Sequence, residues 1–340
     1  MTETAPKKSL EAPHRRLEQT PPRVVEIAAV IGYRSLAAVL RFAPPRLSAS
    51  VIALGSRASY LLWPSKRRFS NGNFARVLGT SPDDPRVRRL ALRAYGEYAK
   101  YMVELMRLPS RPVAELESNM VGDGIDLIMG RWAESGRSMI ITAGHVGNNE
   151  AIAAAIASRG YPSNVVADDS TFPEIFEILR QEREQFGLHV IPWRNLKDLF
   201  KALRNREVVA LLVDWGYRAD GVPVQLFGSW TALPAGPATL AAKTGALIAP
   251  LAIRRTAEGR FYVEAPEPWT VASGDPASIQ ANTQRIADWL ELTVGAAPEQ
   301  WYSFKPIWPA TAAEEASLAA RAALMQAGEP DPGPGHGMEA

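Results

Sequence analysis

At 340 residues, 46% hydrophobic and 22% charged, the chain is long enough to bury a large core. It contains no cysteine, which excludes thiol nucleophiles, thiolate metal sites and disulfides, and with only four histidines no metal centre or cofactor is expected. The net charge of +2 conceals an asymmetry: residues 1–76 hold 13 Lys and Arg against 4 Asp and Glu, a net +9, so the remainder carries −7.

In chain order, residues 1–22 read as a polar, Pro-containing disordered tail with no signal-peptide pattern. Two apolar helices follow between Val24 and Trp63, parted by Pro44-Pro45 and ended by Pro64. Arg34, Arg41, Arg46 and Arg57 interrupt them, which argues against a membrane span. Apolar helices flanked by cations, with Tyr60 and Trp63 near an edge, suit a bilayer interface, and equally an ordinary core hairpin. The basic excess beside them points to an anionic membrane surface as partner. The slightly acidic remainder has no basic aromatic stripe, which points away from nucleic acid.

Residues 71–78 read as a short helix or loop and 80–85 as a linker. Val87, Leu90, Ala91, Ala94, Tyr98, Tyr101, Met102 and Leu105 then give a long amphipathic helix over 86–108. From about residue 116 strand and helix patterns alternate, the signature of an α/β domain. Helices are expected over 124–135, 148–158, 173–186, 196–204, 237–244 and 276–294, and strands over 138–142, 163–167, 188–192, 208–214 and 246–253, with 260–264 pairing onto the last. An Ala/Glu-rich helix follows to Gln326. The fold class expected is α/β, a central mixed, largely parallel sheet flanked by helices, with N-terminal interfacial helices. The organisation is a tail (1–22), N-terminal membrane-associating helices (23–70), the α/β domain (71–310), a C-terminal helix (311–326) and a Gly/Pro-rich tail (327–340).

The most informative stretch runs from Ser138 to Glu150. An apolar strand, a turn at Ala143-Gly144 and an alanine-rich helix put His145 at a strand-to-helix turn, where open α/β sheets place ligands. Glu150 falls in the first helical turn, and its carboxylate is expected to hold one ring nitrogen of His145 as N–H. Spacing alone also fits a structural histidine at a helix start. His14 and His336 lie in the tails and His189 alternates within a strand, so His145 is the candidate base. Asp214, at the carboxyl end of another buried strand, is a candidate partner of His145, a contact for a substrate hydroxyl, or a turn cap. Arg183, Arg218, Arg254 and Arg255 are cations available to a phosphate. The segment from Gly221 through Gly228, followed by Leu233-Pro234-Ala235-Gly236-Pro237, leads into a helix whose start could bind an anion. No Gly-x-Ser-x-Gly elbow, Gly-x-Gly-x-x-Gly fingerprint, phosphate-binding Gly-x4-Gly-Lys loop or His-Glu-x-x-His helix is present.

Taken together, several pieces resemble the bacterial lipid A biosynthesis acyltransferase family, a branch of the lysophospholipid acyltransferase superfamily. They are Tyr95, Tyr98, Tyr101, Glu104 and Arg107-Leu-Pro109; His145-x4-Glu150; Arg183 with Gly187; Asp214; Val222-Pro-Val with Phe227-Gly228; Leu233 to Pro237; Thr244-Gly-Ala with Pro250; and Pro298-Glu-Gln-Trp-Tyr302 with Trp308. Their order, spanning 71–308, carries the resemblance. Within the family the interfacial helices resemble the phosphatidylinositol mannoside acyltransferase branch most. Asp214-Trp-Gly is a departure, standing where many relatives show Asp-Arg-Asp.

The resemblance implies a peripheral enzyme on the cytoplasmic face of the inner membrane. It would move a fatty acyl group from acyl-CoA or acyl carrier protein to a hydroxyl of a glycolipid or lysophospholipid. His145 and Glu150 would be catalytic, and Asp214, Arg183, Arg218, Gly228, Pro234 and Gly236 would bind substrate. The alternatives are a non-catalytic lipid-binding protein on the same fold and an acyl-thioester hydrolase.

Overall fold

The structure, a computed structural model, describes residues 22–169 and 172–334. The described residues open with four helices: α1 (Arg23–Phe42), α2 (Pro45–Leu62), α3 (Pro64–Leu78) and α4 (Pro85–Arg107). Pro64 does not simply end α2. Its missing N–H and fixed φ suit the first position of the next helix, so α3 starts there and takes in residues 71–78, expected as a short helix or loop. A short α5 (Val113–Ser118) and β1 (Met120–Val121) lead to α6 (Gly124–Ser135).

The alternating units follow as β2 (Met139–Ala143), α7 (Asn149–Ser158), β3 (Ser163–Ala167), α8 (Pro173–Glu184), β4 (Leu188–Pro192), α9 (Leu196–Arg204) and β5 (Val208–Leu212). Then come β6 (Val222–Leu226), β7 (Ser229–Leu233), α10 (Gly236–Thr244), β8 (Leu247–Pro250), β9 (Ala252–Arg255), β10 (Phe261–Glu264) and β11 (Trp269–Thr270), with α11 (Pro276–Ala296) and α12 (Ala312–Gln326) closing the chain.

The main sheet has the order β11-β8-β2-β5-β3-β4. Only β11 is antiparallel to its neighbour; β8, β2, β5, β3 and β4 run parallel, as the strand–helix alternation predicts. β2 and β5 are central and almost wholly apolar, which suits strands covered on both faces. Their register pairs Ala143 with Leu212. Two residues further along each strand, 145 and 214 therefore face one another beyond the sheet's carboxyl edge.

Two expectations are corrected. The predicted single strand 246–253 is two strands in different sheets. β8 leaves the main sheet at Pro250, and β9 pairs with β10 in a three-stranded sheet completed by β1. Residues 221–236, expected only as a segment leading into a helix, hold a hairpin of β6 and β7 whose two turn residues, Phe227 and Gly228, have φ of 50° and 68°. Paired left-handed residues match the right-handed twist of a two-residue hairpin. The alternation Val222, Val224, Leu226 before Gly228 carried that signal.

The expected tail through residue 21, with His14, and residues 335–340, with His336, lie outside the described residues. The stretch 327–334 is described, and there Asp331 accepts hydrogen bonds of 2.7 and 2.6 Å from buried Arg321 of α12.

α2 packs along α4, with Ser56 Oγ donating to the Tyr95 carbonyl at 2.7 Å. α1 is tethered more lightly. Tyr33 donates to Glu182 at 2.7 Å, and Glu26 accepts the Glu174 N–H at the start of α8. The two helices leave Val24, Ile31, Val39, Phe42, Leu47, Val51, Leu54 and Leu62 more than half exposed. No helix among the described residues is long and apolar enough to cross a membrane.

Candidate active site

His145 and Asp214 meet at the carboxyl edge of the main sheet, where the register of β2 and β5 brings them together. The imidazole Nδ1 lies 2.6 Å from Asp214 Oδ1. The backbone N–H of His145 donates to the same carboxylate, at 3.0 and 2.9 Å from its two oxygens. The indole Nε1 of buried Trp301 donates to Asp214 Oδ2 at 2.8 Å. Asp214 thus faces only donors. Its side chain is fully buried, while that of His145 is 24% exposed. Burial alone would raise the Asp214 carboxyl, but the opposing attraction and hydrogen bonds of His145 and Trp301 hold it below the ordinary value of 3.8.

The surrounding backbone is shaped for this contact. At Gly144 a Cβ would lie 2.4 Å from Leu290 Cδ1 and 3.1 Å from Asp214 Oδ2, so a side chain there would push into the pair. Gly147 has φ +68°, and a Cβ would lie 2.8 Å from the Ile253 carbonyl. Asn148 then caps α7, its side chain accepting from the Ala151 N–H at 3.0 Å.

A second segment clamps the turn. The Tyr302 N–H donates to the His145 carbonyl at 2.8 Å, and the Gly147 N–H donates to the Gln300 carbonyl at 3.2 Å. Asn73 of α3 holds the continuation of this segment, donating to the Ser303 and Lys305 carbonyls at 3.0 and 2.8 Å.

Behind the turn, Arg255 of β9 donates to Glu104 and Glu97 of α4 at 2.6 and 2.8 Å, and Glu104 also accepts from the Asn148 side chain at 2.8 Å. Burial opposes the Arg255 charge, yet the two carboxylates outweigh it and raise its pKa. This cluster ties α4 to the cap of α7.

The structure corrects the expected partner of His145. Glu150 does not fold back to the imidazole. It lies along α7 and forms a two-pronged pair with Arg183 of α8, at 3.0 and 2.6 Å. Arg183 is therefore neutralised rather than held out to a phosphate. Burial works against its charge, but Glu150 more than compensates and raises its pKa. Tyr33 and Tyr101 lie close enough to act electrostatically on Arg183.

The remaining expected contacts lie elsewhere. Arg218 is exposed and paired with Asp220 at 2.8 Å. Arg254 sits over the Tyr262 ring. Gly228 turns the β6–β7 hairpin, which packs on α11 and α12. Pro234 and Gly236 belong to the entry into α10. His189, expected within a strand, is an exposed residue of β4.

Residues whose roles were not assigned from the sequence are Trp301, Glu104, Asn148 and Gly147; Arg255, expected as a cation available to a phosphate, is instead paired with Glu97 and Glu104. Trp301 and Glu104 do stand within the segments that carried the resemblance, which was the one signal for them.

Two predictions follow from this geometry. Because the folded-state pKa of Asp214 is depressed, its contribution to stability is present above the unfolded value and lost as pH falls through the folded one. In urea denaturation the stability gap between the wild type and Asp214→Asn should therefore shrink as the solution is made more acidic below about pH 5; a gap that widens over that acidic range would contradict the assignment. Separately, Glu150→Leu should cost roughly 3 kcal/mol by leaving Arg183 unpaired, and Arg183→Met added to it should recover much of that loss. Additive losses in the double variant would show that the pair is not coupled.

Comparison with known proteins places this geometry in a family. The profile of the bacterial lipid A biosynthesis acyltransferase family matches residues 21–309. A phosphatidylinositol mannoside acyltransferase of Mycolicibacterium smegmatis (strain ATCC 700084 / mc(2)155) is 27% identical over 296 residues, covering 84% of this chain and 93% of the relative. Proteins of the same name from Mycobacterium tuberculosis strains CDC 1551 / Oshkosh and ATCC 25618 / H37Rv are each 29% identical over 250 residues, 71% of this chain and 77% of the relative. The chain is an acyltransferase and belongs to the bacterial lipid A biosynthesis acyltransferase family.

Proposed function

We propose that the chain transfers a fatty acyl group from a thioester donor, acyl-CoA or acyl carrier protein, to a hydroxyl of a glycolipid of the phosphatidylinositol mannoside class. The contact that carries the reading is the 2.6 Å bond between His145 Nδ1 and buried Asp214. It holds the imidazole in the tautomer with the proton on Nδ1, which leaves Nε2 able to accept one.

The acceptor hydroxyl gives its proton to Nε2 as its oxygen bonds to the thioester carbonyl carbon. The tetrahedral intermediate collapses, the carbon–sulfur bond breaks, and the imidazolium returns the proton to the departing sulfur. Asp214 stabilises the imidazolium while it exists. No acyl-enzyme is needed, in keeping with a chain that has no cysteine.

A lipid-facing setting is supported by apolar side chains around the same edge of the sheet. Leu212 ends β5, Trp193 follows β4 and Leu196 opens α9, each at least 40% exposed. The unpaired apolar faces of α1 and α2, with Arg34, Arg41 and Arg46 along the same helices, support peripheral attachment to the cytoplasmic face of an anionic membrane.

His145→Ala should lower transfer from acyl-CoA to phosphatidylinositol mannoside by about 10²–10⁴-fold when assayed below its melting temperature, which should itself fall because buried Asp214 loses its ring partner. Transfer at the wild-type rate would remove His145 as the base. Release of free fatty acid without acylated lipid would instead favour the hydrolase reading.

For the membrane, the full-length protein should pellet with phosphatidylglycerol-containing vesicles, less so in high salt. Ile31→Asp with Phe42→Asp should weaken that binding further. Unaltered binding by this double variant would show that α1 does not meet the bilayer.

A further inference from the structure

The residue following Asp214 has no role in the proton transfer, yet it stands beside the base. The indole of Trp215 lies 5.3 Å from the imidazole of His145, centroid to centroid, tilted at 40°, and the residue is 58% exposed. A ring so open to water adds little to the core. The ammonium of Lys305 sits 4.1 Å from the centroid of the same indole, within cation–π range.

The backbones that carry the two side chains are fixed to one another. The Tyr217 N–H donates to the Pro306 carbonyl at 2.7 Å, and Asn73 holds the Lys305 carbonyl. The Ser303 hydroxyl reaches the Asp214 carbonyl at 3.4 Å. Gly216, at φ +148°, brings the chain so close to Lys305 that a Cβ would touch the lysine's own Cβ at 3.4 Å. An aromatic surface and a cation are thus held together at the mouth of the site.

We infer that Trp215 and Lys305 form the recognition site for the acceptor's anionic sugar headgroup, the open part of the indole packing against a carbohydrate ring and the ammonium meeting the headgroup phosphate. This inference rests on the acyl-transfer reading above and names the part of the site that selects the acceptor. Three features favour a phosphorylated sugar over the fatty chain.

A hydrocarbon gains from the indole but offers nothing to the neighbouring ammonium. A sugar offers C–H groups to the negative face of the ring and hydroxyls to water. The group that has to sit next to the histidine is also the one bearing the attacking hydroxyl, and Trp215 is the large exposed side chain in direct contact with that histidine.

The test reads binding separately from catalysis. Titration calorimetry on the full chain uses water-soluble glycerophosphoinositol mannoside, and as a neutral probe the inositol mannoside without phosphate. Trp215→Ala should weaken both probes about tenfold, and Trp215→Phe should keep both within about threefold of wild type. Lys305→Ala should weaken the phosphate-bearing probe about tenfold and leave the neutral one little changed. In transfer assays the same variants should raise KM for the glycolipid and not for acyl-CoA.

Headgroup binding that ignores Trp215→Ala, or a wild type that binds neither probe, overturns the inference. A rise in KM for acyl-CoA alone also overturns it, because the surface would then belong to the donor. If headgroup binding depends on Trp215 and Lys305 while no acyl transfer is detected, this inference stands and the acyl-transfer reading fails.

Discussion

The site depends on one buried carboxylate. Asp214 has no access to water, and its oxygens are met by the ring and backbone N–H groups of His145 and by the indole of Trp301. A charge so placed is costly unless its donors stay in position. Much of the neighbouring structure has that effect. Gly144 allows the close approach, the segment after Pro298 supplies Trp301 and clamps the turn, and Asn73 fixes that segment from α3. The donors that lower the energy of the buried charge also orient the imidazole, so the stability of this edge and the proposed proton transfer rest on the same contacts.

A second set of charges supports the first without entering it. Arg255 with Glu97 and Glu104, and Glu150 with Arg183, are pairs that cross between elements. The former binds α4 to the capped start of α7, and the latter binds α7 to α8. Both fix the helix that begins immediately after His145. The pair through Glu150 joins α7 to α8, which is in turn bonded to α1 through Glu182 and Tyr33.

Much of this was legible from sequence, and what was not has a physical reason. The strand-to-turn-to-helix pattern around His145 and the buried strand ending at Asp214 were each readable, because an apolar run closed by polar residues marks the carboxyl edge of a parallel strand. That β2 and β5 are neighbours in register was not readable, since strand order depends on packing across the whole sheet. Spacing therefore drew Glu150 toward His145, while the register delivers Asp214 from 69 residues away. Arg183 was singled out as a cation, but its partner could be found only once α7 and α8 lay side by side. Trp301 shows the same limit: an indole buried 87 residues from the carboxylate it serves leaves no local pattern.

The central claim is that His145 is held with its proton on Nδ1, against Asp214, and with Nε2 open. Nitrogen-15 NMR of the imidazole reads this directly, and with four histidines in the chain the resonances can be assigned with a His145→Gln control. Above the titration range of the ring, the account predicts a protonated Nδ1 with a strongly downfield proton and an unprotonated Nε2, and loss of that downfield proton in Asp214→Asn. A ring protonated on Nε2, or an Nδ1 signal indifferent to Asp214, would contradict it.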